Sequence, residues 1–333
     1  MPDAAASPRV LIRAGERGPA DSSRHPFNPA SEIHGWTVSR DAGLGRIAVN
    51  LAWLPPGRES SAFHVHHREE EWLYVLSGSG TAEVDDREVP VGPGDFLGYP
   101  PGTAHHLRNT GREELHFLEG GEIITDVEVA DFPRLGKRMV RTGTRIAIYP
   151  TSAEIPFWPG GTNEVPPELV GGAPRRDPPR VVVKAGERSE PRKYNHPQNP
   201  GAEAHLTHLS RPAGLTRVAV VVARVPAGRD AFVKHAHVRD EEWMYVLSGR
   251  GEVDVGDARH EIGPGDFLGF PAGSPHNTRA LPGEDLVSLQ GGDAWNRGTI
   301  DVIDLPDLGM RRIIVGTRNV MVFPVDAAVE RKG

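Results

Sequence analysis

The histidines and carboxylates of this chain fall into two matching clusters. Residues 64–72 read HVHHREEEW, and residues 235–243 read HAHVRDEEW. In a β-strand successive side chains point to opposite faces, so His64 and His66 share a face, as do His235 and His237. Two imidazoles side by side make half of a metal site. Glu71 and Glu242 each stand five residues after the second histidine of the pair, and a glycine turn follows at Gly78 or Gly249. A further histidine arrives from a separate segment. In GDFLGYPPGTAHHLRN the turn at Pro100 and Gly102 delivers His105, and in GDFLGFPAGSPHNTRA the turn at Pro271 and Gly273 delivers His276. Three imidazoles and one carboxylate suit Fe(II), Mn(II), Ni(II), Cu(II) or Zn(II). On an octahedral ion they leave two positions open for a chelating substrate, for dioxygen or for an acidified water.

The elements that must hold these residues are short strands. The 39 glycines and 31 prolines punctuate apolar segments such as RIAVNLAW, WLYVLSG, DFLGYP and VVVARVP, which is an all-β texture. Segments 126–139 and 299–313 are the places where short helical pieces are expected. Shifting the chain by 171 residues, from 64 to 235, also aligns PRVLIRAGER with PRVVVKAGER, HPFNP with HPQNP, and GPGDFLG with an unchanged copy. The repeat therefore predicts two whole domains, residues 1–150 and 179–333, joined by a Pro/Gly-rich linker at 151–178.

Composition removes several function classes. There is no cysteine, so disulfides, thiol nucleophiles and thiolate zinc sites are excluded. With 38 basic against 45 acidic residues, a formal net charge of −7 and no basic block, no nucleic-acid partner is expected. No apolar stretch approaches the ~18 residues that span a bilayer, so the expectation is a soluble, cytoplasmic protein with no membrane partner.

At the level of motifs the chain resembles the cupin superfamily, specifically a bicupin. The family's first motif, G-x5,6-H-x-H-x3,4-E-x6-G, is matched by Gly57, His64, His66, Glu71 and Gly78, and by Gly228, His235, His237, Glu242 and Gly249. Its second, G-x5-P-x-G-x2-H-x3-N, is matched by Gly94, Pro100, Gly102, His105 and Asn109; the other half keeps Gly265, Pro271, Gly273 and His276 but has Ala280 in place of the asparagine. The resemblance implies two tandem cupin barrels, each a double-stranded β-helix or jelly roll. It also implies one divalent metal per barrel, Fe(II) or Mn(II) favoured, held by His64, His66, Glu71 and His105 and by His235, His237, Glu242 and His276. A further homodimer is common in such a family. Strand alternation turns His67 and His106 to the outer surface, and His25 and His196 read as caps of the HPxNP turn. Glu69, Glu70, Asp240 and Glu241 read as rim acids, and Trp72 and Trp243 as packing residues.

Many bicupins with this ligand set are non-haem dioxygenases, so the first expectation is an oxidoreductase acting on a small oxygen-rich substrate chelated to the metal. The alternatives are a redox-neutral isomerase, lyase or decarboxylase, and a small-molecule binder without turnover. Oxalate decarboxylases place an arginine three residues before the first ligand histidine, where this chain has Ser61 and Phe232, and their Ser-Glu-Asn-Ser lid is absent. The halves also differ near the ligands. Asn50, Ser60, Ser61 and Tyr99 stand against Val221, Ala231, Phe232 and Phe270, which favours the first barrel as the catalytic one. Arg224, in place of Trp53, is a rival clamp for a carboxylate, whereas Lys234, in place of Phe63, is turned outward by alternation.

Overall fold

The computed structural model describes residues 9–155, 180–293, 300–315 and 319–327. Most of the linker segment 151–178 lies outside the described residues. Each half folds as an antiparallel β-barrel, as its alternating apolar strands require. In the first, one sheet carries the strands Phe96–Tyr99, Glu71–Ser77, Leu115–Glu122 and Ile47–Leu54 side by side. The facing sheet carries Val127–Phe132, His64–His66 and Ala104–Arg108. The second barrel repeats this with Phe267–Phe270, Glu242–Ser248, Leu286–Asp293 and Val218–Val225, opposite Ile300–Leu305, Ala236–His237 and His276–Ala280. Segments 126–139 and 299–313, expected to carry helical pieces, hold only the single 3-10 turns Pro133–Leu135 and Pro306–Leu308. The rest of each described stretch is hairpin strand.

Both faces of the central strands are buried, which explains why EWLYVLS reads as a continuous apolar run. Leu73 and Val75 fill the first barrel. Trp72 and Tyr74 point the other way, into a core between the barrels that they share with Trp243, Tyr245, Ile47, Val49, Val218 and Val220. There the Trp72 and Trp243 rings stack at 5.1 Å and 7°. The two halves also exchange their first strands: Leu11 and Ile12 pair with Leu268 and Phe267 of the second barrel, and Val182 and Val183 pair with Leu97 and Phe96 of the first.

Two residues read as rim acids are instead buried clamps between the barrels. The Glu70 carboxylate, 0% exposed, accepts hydrogen bonds from the backbone N–H groups of Thr216, Arg217 and Val218 and from the Thr216 hydroxyl. Reciprocally, Glu241 accepts from the N–H groups of Gly45, Arg46 and Ile47. A buried carboxylate persists only when its oxygens are satisfied, and here the partner barrel supplies the donors. Among the described residues no helix is long and apolar enough to cross a membrane.

Candidate metal centres

Strand register brings the ligands together. His64 pairs directly with His105, and Glu71 lies between Tyr99 and Gly121 in the facing sheet. A side chain at Gly121 would run into the Glu70 carbonyl at 2.5 Å and the Glu71 side chain at 3.3 Å, so glycine is what lets the ligand strand pass. Gly102 adopts φ +85°, a conformation that glycine tolerates without strain, and its N–H reaches the His66 carbonyl at 2.8 Å. That turn ties the strand of His105 to the His64–His66 pair. Gly273 and Gly292 repeat both roles.

The Nε2 atoms of His105, His66 and His64 stand 3.0, 3.5 and 3.9 Å from Glu71 Oε2. In the second barrel His276 and His235 lie 3.1 and 3.5 Å from Glu242 Oε2, and His237 lies 3.5 Å from Oε1. Every ligand histidine donates its other ring N–H to a fixed acceptor: His64 to Ala62 O, His105 to Thr103 O, His235 to Val233 O and His276 to Ser274 O. His66 donates to Glu128 at 3.1 Å and His237 to Asp301 at 2.7 Å. This locks the tautomer and turns each Nε2 lone pair toward the carboxylate, which is how a metal-binding imidazole is oriented. The four-residue set of each barrel therefore fits a divalent cation.

The electrostatics of the protein groups agree. Burial works against the charged forms, yet Glu71, Glu128 and Glu69 raise His66 to about 9. Against the same penalty, Glu242, Asp301 and Asp240 raise His237 to about 9. The histidines in turn hold Glu71 and Glu242 well below the ordinary carboxylate range despite burial. These sites are built for positive charge.

The neighbours divide. Of Asn50, Ser61 and Tyr99, two touch the first centre directly: Tyr99 stacks on His105 at 3.9 Å and 8°, and the Ser61 hydroxyl lies 3.3 Å from His64 Nδ1. Asn50 faces Glu119 at 3.4 Å. Arg224 does not join the second centre. Strand alternation sets it on the face of Val220 and Val222, and it pairs with Asp285 at 2.6 Å. Lys234 lies 4.0 Å from Asp257. His67 is exposed beside Asp131, as alternation predicts. His106 also faces away from the metal centre but is not a surface residue: it is 5% exposed and sits between Glu59 at 3.3 Å and Glu83 at 3.6 Å. His25 and His196 accept from the N–H groups of Phe27 and Gln198, as turn caps do. Asn109, buried, ties the loop by donating to the carbonyls of Leu54 and Glu113, which is a turn role.

Four ionisable residues near the candidate centres escaped the sequence reading. Glu128 and Asp301 orient the second histidine of each pair; they occupy matching strands after a two-residue slip in the repeat, the only signal that links them. Glu119 lies on the inner face beside Asn50, and burial together with Glu71 raises it to about 7. Its counterpart in the second barrel is Gln290. Arg312 stands over the Phe232 ring at 5.8 Å.

The cupin domain model matches residues 50–120 and 221–289, one match in each barrel. The chain is a two-domain cupin. The fold of this bicupin is shared with oxalate decarboxylase from Bacillus subtilis, with a TM-score of 0.53 and 17% identity, covering 86% of this chain and 77% of that one. Sixty-five residues are 38% identical to the oxalate-binding protein of Thermotoga maritima, 20% of this chain and 53% of that protein. Protein SchB of Streptomyces halstedii is 32% identical over 77 residues, 23% of this chain and 55% of that protein. The chain thus spans about half the length of these curated relatives.

Proposed function

We propose that this bicupin is a metal-dependent enzyme of the redox-neutral class, a decarboxylase, lyase or isomerase, which turns over a small oxygen-rich acid in its first barrel. The observation that carries this reading is Glu119. It is a carboxyl on the inner face of the first barrel, near the ligand Glu71, raised to about 7 by burial and by that neighbour. Burial, the larger of the two causes and one that a cation at Glu71 leaves in place, keeps this carboxyl above the ordinary carboxylate range, which suits a general acid or base. Reactions that add or remove a proton at carbon need a group of this kind.

When bound, the divalent metal supplies Lewis-acid polarisation of a chelated oxygen. The protein residues do the rest. His64, His66, His105 and Glu71 would hold the ion, Glu128 fixes the His66 ring, and Tyr99 backs the His105 ring. Asn50 and Ser61 offer hydrogen bonds to substrate oxygens at positions where the second barrel has Val221 and Phe232. Likeness to proteins named for oxalate supports a small acid as substrate class. The Mn(II) centres of the decarboxylase are one reason to try manganese first, with Fe(II) next and Ni(II), Cu(II) and Zn(II) after them.

The dioxygenase reading rests on the two open coordination positions and on the resemblance to bicupin dioxygenases with this ligand set, whereas Glu119 adds an observation for proton transfer. The test is to load the full chain with Mn(II) or Fe(II) and follow oxygen uptake and products with keto acids, dicarboxylates, sugar acids, diketones and catechols. Product without oxygen uptake is expected. Oxygen consumed one-for-one with substrate would replace the reading with the dioxygenase one.

A further inference from the structure

The mouth of the second barrel contains a guanidinium, that of Arg312, with no ion-pair partner among the described residues. Arg312 pairs in register with Ile303, and Ile303 with His237, so all three side chains share the inner face of that sheet. The Arg312 side chain lies over Phe232 at 5.8 Å, and the Phe232 ring lies 4.8 Å from His235. Tyr194 stacks on the same Phe232 ring at 5.4 Å and 10°, with its hydroxyl in hydrogen-bonding reach of Arg312. The Arg312 Nε is buried and has no hydrogen-bond partner. Among the described residues no carboxylate comes within ion-pair distance of Arg312. Its strand neighbour Arg311, by contrast, makes two hydrogen bonds to Asp304.

A guanidinium partly withdrawn from water without a counter-ion is costly, and a missing partner is most simply one that comes from outside. Its planar fork matches a carboxylate, with the tyrosine hydroxyl as a further donor. The first barrel has Met139 at the position of Arg312, Ser23 at that of Tyr194 and Ser61 at that of Phe232. It carries instead a lysine, Lys137, over Phe27 at 5.4 Å.

We propose that Arg312 and Tyr194 form a carboxylate-binding subsite at the mouth of the second barrel, for a ligand that extends from there toward His235 and His237. The subsite itself does not depend on turnover; only the destination of the ligand's other end rests on the metal-centre reading above. Its walls are aromatic, so the part of the ligand between its two polar ends is a short apolar spacer.

The test uses the full chain treated with chelator and titrated calorimetrically with succinate, with the neutral diamide succinamide and with inorganic phosphate. Succinate should bind, succinamide should not, and phosphate should bind more weakly than succinate. Arg312→Met, which installs the residue of the first barrel, should weaken succinate at least tenfold, and Tyr194→Phe by less. Arg312→Lys should retain part of the binding, and unchanged melting temperatures show that the variants are folded. Succinate binding equal in Arg312→Met and the native protein would overturn the proposal, and tighter phosphate binding would overturn the carboxylate class. If the chain binds succinate through Arg312 yet takes up no metal, the subsite stands and the metal-centre reading fails.

Discussion

The two barrels share four candidate ligand positions and the acceptors that orient their histidines, yet four positions close by differ in kind. Around the first centre stand Glu119, Asn50, Ser61 and Tyr99; the matching positions around the second are Gln290, Val221, Phe232 and Phe270. Tyr99 and Phe270 stack on their ligand histidines in the same way, at 3.9 and 3.8 Å, so the packing role is common and only the hydroxyl differs. Gln290 has no proton to exchange and its amide bonds Ser288 at 2.9 Å. The contrast teaches that three histidines and one glutamate would suit a cation equally in both barrels, so any difference in chemistry between them has to come from the next layer.

The largest effect that would break this contrast is on turnover. His66→Ala should abolish it, while His237→Ala should leave it within about tenfold, each variant losing about one metal ion. The reverse pattern in steady-state assays and elemental analysis would move catalysis to the second barrel. Next, Glu119→Gln makes the first barrel resemble the second at this position. It should lower kcat by about 100-fold, the usual scale of a lost acid or base, with metal content unchanged. A kcat that stays within about twofold would remove Glu119 from the chemistry.

The comparison also shows what could be read from residue order. The clustering of the eight candidate ligands was legible because alternation and turn glycines place them from local spacing alone, and the texture of short strands made the all-β fold legible. Glu70 and Glu241 were not, because their partners lie in the other barrel, and adjacency to Glu71 and Glu242 made them look like part of an acidic rim. Arg224 was misread because counting from the histidines does not tell which face of a neighbouring strand turns inward; the register shows it sharing the face of Val220 and Val222. Arg312 and Glu128 sit on hairpins beyond the motif: the strand of Glu128 pairs directly with His64–His66, and that of Arg312 reaches Ala236–His237 only across the intervening strand Ile300–Leu305.

A smaller effect separates metal-free from metal-loaded protein. His66 and His237 are raised from 6.5 to about 9 in the metal-free state. A raised imidazole contributes stability that is fully present below about pH 6.5 and is lost as pH rises through about 9. The metal-free melting temperature should therefore fall over that window, by the equivalent of up to about 3 kcal/mol for each histidine. A bound cation needs the unprotonated rings, so the loaded protein should gain stability over the same window. Parallel pH dependences in calorimetry would contradict the assignment of these histidines as ligands.

The smallest effect compares the clamps. Glu70→Ala strands three backbone donors and the Thr216 hydroxyl, whereas Glu241→Ala strands three backbone donors and no hydroxyl. Glu70→Ala should be the more destabilising by about 1 kcal/mol in urea unfolding. Equal midpoints would mean that the hydroxyl contributes nothing.

The central claim is that both barrels hold a metal through their own four ligands. Its most direct test is elemental analysis of the full chain purified without chelator, then after incubation with Mn(II), Fe(II), Ni(II), Cu(II) or Zn(II) and removal of free ion. About two ions per chain are predicted, as expected for two sites of four protein ligands each, falling to about one in either His66→Ala or His237→Ala. Fewer than about 0.3 ion per chain under every condition, or loss of both ions from one substitution, would contradict it.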